Sequence, residues 1–164
     1  MSDNPYSAPA TTVDDLGESN GSIHDFPRFS AWGVFGLSVI TLGIYSVYWM
    51  YTRSKIINSN DKLDSIPEGF MITAMVFTVV NLLGGFVEGV AVGMTEDAQT
   101  VIMIASISKI LGLVTGIMNL VWIFKVKNRI CTLAGISANG VMTFFFQALY
   151  VQYKINQAID NTAR

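Results

Sequence analysis

Two stretches decide the fold: GFMITAMVFTVVNLLGGFVEGVAVGMT, Gly69–Thr95, and AQTVIMIASISKILGLVTGIMNLVWIF, Ala98–Phe124. Each runs 27 residues with one charge, Glu88 in the first and Lys109 in the second. A bilayer core about 30 Å thick needs roughly 20 apolar residues of helix, so either stretch is long enough to cross it. A few polar residues join them, and Thr95-Glu96-Asp97 sets a cap and two acids at the positive end of the second helix. So short a connection predicts a tight antiparallel hairpin. Ser65-Ile66-Pro67-Glu68 reads as a capping box with an early proline, opening the first helix.

Working outward, Arg28 and Arg53 enclose 24 uncharged residues, among them Ala31–Tyr51. Trp32 lies near one end of that run, and Tyr48, Trp49 and Tyr51 near the other. The tryptophans stand roughly 25 Å apart along a helix, close to the spacing of the two interfacial belts. On the other side of the hairpin, Ile130–Tyr153 is uncharged, but Gly135, Ser137, Asn139 and Gly140 weaken its front half. Only Val141–Val151 is strongly apolar, which is short for a full crossing. Bare backbone polar groups cannot sit in lipid, so segments this long must be helical. The expected fold is therefore an all-α membrane protein with three to four transmembrane or membrane-embedded helices, over about 30–57, 67–94, 96–128 and 138–160. These fill a membrane domain, 29–164, behind a disordered acidic tail, 1–28. The first 25 residues carry five acids and no Lys or Arg. They lack the basic start and apolar run of a signal peptide, so the tail is expected to be retained.

Composition agrees. Of the 164 residues 51% are hydrophobic and 13% charged, about half the charge of an average soluble domain. Mean hydropathy is +0.46. The expected solvent is the lipid bilayer. A net charge of −2 with no basic patch gives nucleic-acid binding no electrostatic support. One cysteine, Cys131, and one histidine, His24, exclude a disulfide framework and a structural zinc site. No nucleophile elbow, phosphate loop or HExxH pattern is present, so neither an enzyme nor a cofactor is expected. Cys131, beside the basic Lys127–Arg129 cluster, reads as a lone small residue at an interface.

Charge also orients the chain. Arg53, Lys55 and Lys62 follow the first segment, Lys125, Lys127 and Arg129 follow the third, and the hairpin turn is acidic. The positive-inside rule puts that turn outside and both basic connections in the cytoplasm. If 31–51 spans, the acidic tail lies outside; if it is re-entrant or interfacial, the tail stays in the cytoplasm. The segment near 137–153 poses the same question for the C-terminus, where Lys154 and Arg164 prefer the inside.

Within the hairpin, Gly85, Gly89 and Gly93 recur every four residues, and Ser108, Gly112 and Gly116 answer at the same spacing. Small residues let helix backbones approach closely in lipid. The two faces are read as meeting within one chain, or else as mediating homo-oligomerisation. Glu88 and Lys109 are charges inside apolar helices, which by default have a partner or a function. Their levels differ by roughly 5 Å, so a structural ion pair is the leading reading. Independent snorkelling to the interface and a transport role are the others. Asn81 and Asn119 are expected to hydrogen-bond between helices. A faint repeat sets Thr41–Ile57 over Thr143–Ile159, matching Thr41/Thr143, Tyr48/Tyr150, Tyr51/Tyr153 and Ile57/Ile159.

Ile40-Thr41-Leu42-Gly43-Ile44-Tyr45-Ser46-Val47-Tyr48-Trp49, followed by Asn58 after a basic stretch, resembles a family of small bacterial inner-membrane domains of unknown function. That family shows a "TLGIY…YW" core leading into an "…IN" end. Phe144–Asn156 is similar to its closing segment, with Gln147-Ala148 standing where that segment carries Gly-Pro. Asn4-Pro5-Tyr6-Ser7-Ala8-Pro9 is similar to a leader on other bacterial membrane proteins. The resemblance implies a multi-pass protein of the bacterial inner membrane and supplies no activity. The function expected is that of a structural or accessory membrane protein acting through helix contacts, with a homo-oligomer or another membrane protein as partner. A small homo-oligomeric channel or transporter subunit is the alternative.

Overall fold

The computed structural model describes residues 22–94 and 97–162. Among these the chain is all-helical, with no strand. Five helices follow one another: α1 (Ala31–Ile40), α2 (Ile44–Asn58), α3 (Glu68–Met94), α4 (Ala98–Ala134) and α5 (Gly140–Thr162). Both α3 and α4 are long and apolar enough to cross a membrane.

The helix expected over 30–57 is two helices. Gly43 N–H donates to Ser38 O at 2.7 Å and Leu42 N–H to Val39 O at 3.2 Å. This pattern closes a helix end with the chain turned left-handed, as Leu42 (φ 51) and Gly43 (φ 90) are. The Thr41 hydroxyl accepts from Tyr45 N–H at 2.9 Å and donates to Leu37 O at 2.7 Å, pinning both sides of the break. The Thr-Leu-Gly of the family-like motif is thus a helix terminator. In the hydropathy pattern it is only one tolerated glycine.

The last helix is broken too. Gln147 sits at φ 36, ψ −120, dividing α5 into a short first part and a longer second part. Glycine occupies such conformations at far lower cost than glutamine, and glycine is the residue that the resemblance places there. The two repeated stretches therefore share a helix-break-helix plan, although Gln147 aligns with Tyr45 rather than with Leu42 or Gly43.

Helix α4 runs further than 128, through the basic cluster to Ala134. Gly135 (φ 62) stops it, its N–H donating to Cys131 O. Asp97 caps its start by accepting from the N–H groups of Gln99 and Thr100. The capping box expected ahead of α3 is replaced by another arrangement: Met71 N–H reaches Pro67 O at 3.2 Å, and the Glu68 carboxylate pairs with Lys55 at 3.0 Å.

Most of the assigned tail, 1–21, lies outside the described residues. Its last part is folded, contrary to expectation: Ile23–Asp25 form a 3₁₀ turn closed by a Ser22/Asp25 capping box. Phe26 is 2% exposed and Ile23 6%. These apolar anchors outweigh the polar composition around them.

The core is gathered at one end. Buried residues of α3 are Met71 and Ala74, in its first two turns. Those of α4 are Thr115 at its middle and Trp122, Ile123, Val126 and Ile130 in its second half. Around them pack Val34, Trp49, Met50, Ile57, Ile66, Val151 and Ile155. Past Asn81 and Gly112, the hairpin continues without a further buried side chain among the described residues.

Candidate functional site

The polar residues of α2 and α5 meet beneath this core. The Gln152 Oε1 accepts from Trp49 Nε1 at 2.8 Å and from Arg53 Nη2 at 3.0 Å. Its Nε2 donates to Asn156 Oδ1 at 2.9 Å and to Pro27 O at 3.4 Å, while Asn156 Nδ2 donates to Phe29 O at 2.8 Å. One glutamine thus ties the entry to α1, the middle of α2 and the second part of α5. Because residues 27–29 and Trp49–Arg53 both meet α5 here, α1 and α2 form a fold-back pair with the 41–43 break at its tip. In α5 the Tyr150 hydroxyl accepts from Asn139 N–H at 3.0 Å, so the first part of that helix folds back on the second as well.

The same end holds the remaining cross-links. Ser54 Oγ accepts from Trp122 Nε1 at 2.8 Å. Asn58 donates to Ile66 O at 2.8 Å and accepts from Ile66 N–H at 2.6 Å, closing the α2–α3 loop. Arg28 pairs with Asp160 at 2.8 Å, and Arg129 donates to Asp64 O at 3.0 Å. The motif residues Trp49 and Asn58 are therefore structural fasteners.

Arg53 is the exceptional group. It is 6% exposed, its guanidinium lies over the Trp49 ring at 5.2 Å, and its Nη1 donates to Thr52 Oγ1 at 3.3 Å. Nε is buried with no acceptor. Among the described residues the ion pairs are Arg28–Asp160 and Lys55–Glu68, so no carboxylate neutralises Arg53. Burial pulls its pKa below the ordinary arginine value, yet a guanidinium stays protonated in proteins. Beside it Lys55 is held above its usual value, first by the Glu68 hydrogen bond.

The hairpin residues singled out from sequence are placed less compactly. Gly85, Gly89 and Gly93 are exposed, and a Cβ on any of them would meet open space. Gly116 is exposed in the same way, whereas a Cβ on Gly112 would come within 3.3 Å of Asn81 Nδ2. Ser108 is half-buried. The seam with α4 instead follows Asn81, Gly84, Glu88 and Ala91, all half-buried, at alternating steps of three and four. A strict four-residue row turns about 40° at each step and leaves a seam that repeats every 3.5 residues. Asn119 Nδ2 donates to Thr78 Oγ1 across the seam at 3.1 Å. Glu88 and Lys109 are not brought together: they form neither of the two ion pairs, and Lys109 is exposed while Glu88 is half-buried. Lys109 lies about 60° round the helix from Gly112, off the seam.

In the sequence Arg53 stands out only as an orienting charge, and Gln152 and Ser54 belong to no chemical motif. The available signal was helical spacing: Arg53 is four residues after Trp49, and Gln152 four before Asn156. Among the described residues no group of His, Cys, Asp and Glu could hold a metal ion.

No curated protein and no solved structure matches the chain. Residues 29–132, from the approach to α1 almost to the end of α4, match the family described as Domain of unknown function (DUF4234). That match covers the helix terminator, Trp49, Arg53 and Asn58, and leaves out the α5 half of the Gln152 network. The chain belongs to the DUF4234 family of domains of unknown function.

Proposed function

We propose that this is an integral protein of the bacterial inner membrane in which α3 and α4 each cross the bilayer. The α1–α2 pair and the broken α5 enter and return on the basic, cytoplasmic side. The observation that carries this reading is the bareness of the hairpin. Of the most apolar 18 residues of α3 and of α4, only 11% and 6% are buried inside the protein. A core helix of a soluble protein would be covered, and lipid is the solvent that tolerates such surface. Arg28, Arg53, Lys55, Lys62, Lys125, Lys127, Arg129 and Lys154 all lie at the end away from the α3–α4 turn, as the positive-inside rule asks of a cytoplasmic face.

Within the membrane the protein acts as a structural or accessory component through its hairpin, and the partner is a second copy of the chain. Two features support this. The Gly85/Gly89/Gly93 row is open for close helix approach. Glu88 and Lys109, of opposite sign and at nearby depth, lack each other within one chain. In a two-fold dimer Glu88 of each copy meets Lys109 of its partner. Retention through alkaline carbonate extraction tests the membrane placement, and release into the soluble fraction would end it. Cross-linking in native membranes tests the dimer. Glu88→Lys or Lys109→Glu alone should reduce dimer severalfold, and the two together should restore it; unchanged dimer in all three would overturn it. The same two charges support the channel reading, which liposome flux abolished by Glu88→Gln would bring forward.

A further inference from the structure

A full positive charge nine-tenths buried, with neutral oxygens as its only hydrogen-bond acceptors, is costly unless an anion completes it. Arg53 is in that position. Thr52 and Gln152 take two of its five N–H donors, and Lys55 brings no spare carboxylate because Glu68 is already committed to it. A cleft of about 410 Å³ opens beside the guanidinium, lined by Pro27, Tyr45, Tyr48, Tyr51 and Thr52.

A second hollow lies further up the same helix. It measures about 150 Å³ and runs between α2 and α3, lined by Ile44, Val47, Met75 and Val79, with Tyr48 and Tyr51 shared between the two. Its surface is almost wholly apolar. From Arg53 back to Ile44 is nine residues, or about 13 Å of helix. The cationic cleft therefore sits at the basic end, and the apolar groove lies toward the helix break. Tyrosines, with an apolar ring and a polar tip, stand at the junction, as they do at membrane interfaces.

We propose that this double hollow is a phospholipid site, in which Arg53 holds the phosphate of an anionic headgroup and the α2–α3 groove takes an acyl chain. A soluble phosphate ester offers the anion without the chain and fits only the lower half. A zwitterionic lipid brings a phosphate with its own cation and leaves Arg53 uncompensated. The site rests on the membrane placement proposed above.

The test uses the full chain, purified in mild detergent and examined by native mass spectrometry with added lipid. Dioleoylphosphatidylglycerol should be retained at one per chain, at least tenfold over dioleoylphosphatidylcholine, and millimolar glycerol 3-phosphate should not displace it. Arg53→Gln should lose the preference. Because that substitution also removes a core contact, two further variants keep the guanidinium. Gln152→Glu supplies an internal carboxylate where Oε1 now stands, 3.0 Å from Nη2, and should cut retention about tenfold. Val79→Trp, at a half-exposed groove position, should cut it by blocking the chain. Equal retention of the two lipids, or wild-type retention in both of these variants, would overturn the site. Displacement by glycerol 3-phosphate would overturn the lipid in favour of a soluble anion. A protein that resists carbonate extraction yet shows no headgroup preference would lose the site and keep its place in the membrane.

Discussion

The two ends of the α3–α4 hairpin are built on different principles. At the basic end Trp122 and Ile66 are 0% exposed, and Trp49 is 1% exposed. The two indoles are fixed by hydrogen bonds to a neighbouring helix, and Ile66 by its loop-closing pair with Asn58. At the other end Phe86 is 73% exposed and Met94 83%, with two helices touching along one seam. The basic end specifies itself as a soluble core does, by burial plus satisfied polar groups. The far end specifies little beyond length and hydropathy, and leaves its surface to the surrounding solvent. Of the family-like motif, Trp49 and Asn58 fall in the first kind of structure, whereas Ile40 and Leu42, 79% and 75% exposed, do not.

That contrast can be broken by truncation. Trp122→Ala removes a fully buried ring and the indole N–H that Ser54 accepts, and should cost about 3–5 kcal/mol of unfolding free energy in detergent. Phe86→Ala, on the exposed face, should stay within about 0.5 kcal/mol. Comparable losses would mean that the far end is packed after all. Next in size, Asn58→Ala leaves the N–H and C=O of fully buried Ile66 without acceptor or donor, and should cost about 2 kcal/mol. Chemical denaturation measures it, and an unchanged midpoint would deny the loop closure.

Smaller effects sharpen the picture. Gln147→Gly relieves a left-handed conformation at the α5 break and should raise stability by about 1 kcal/mol. A loss instead would mean that the glutamine side chain, not the backbone, sets the break. The smallest effect is expected at Gly89. Gly89→Leu has room for its side chain and should change the unfolding free energy of the isolated chain by less than about 1 kcal/mol, while lowering cross-linked dimer in membranes.

The hairpin was legible because it needs only composition: 27 residues with one charge read as a spanning helix whatever their partners are. The breaks were not. Gly43 and Gln147 sit in apolar runs whose hydropathy continues straight through them, and the hydrogen bonds that end α1 are made by backbone. Arg53 was visible as a charge but not as a buried one, because its acceptor Gln152 lies 99 residues away. Gly85, Gly89 and Gly93 lie off the seam, although Gly112 lies on it, for a geometric reason: four-residue spacing drifts round a helix, while an antiparallel seam repeats at 3.5. Likewise the relative depth of Glu88 and Lys109 could be counted from the turn, whereas the angle separating Lys109 from the seam could not be seen in depth alone.

The central claim is that α1–α2 and α5 each enter and leave on the side opposite the hairpin turn. Single cysteines at Ser22, Ser59, Gln99 and Asn161, all exposed positions, test it in a Cys131→Ser background. Intact cells are treated with a membrane-impermeant thiol reagent and compared with lysed cells. The account predicts labelling of Gln99→Cys alone on intact cells, and of all four after lysis. Labelling of Ser22→Cys together with Gln99→Cys on intact cells would make the first segment a full crossing and contradict the account.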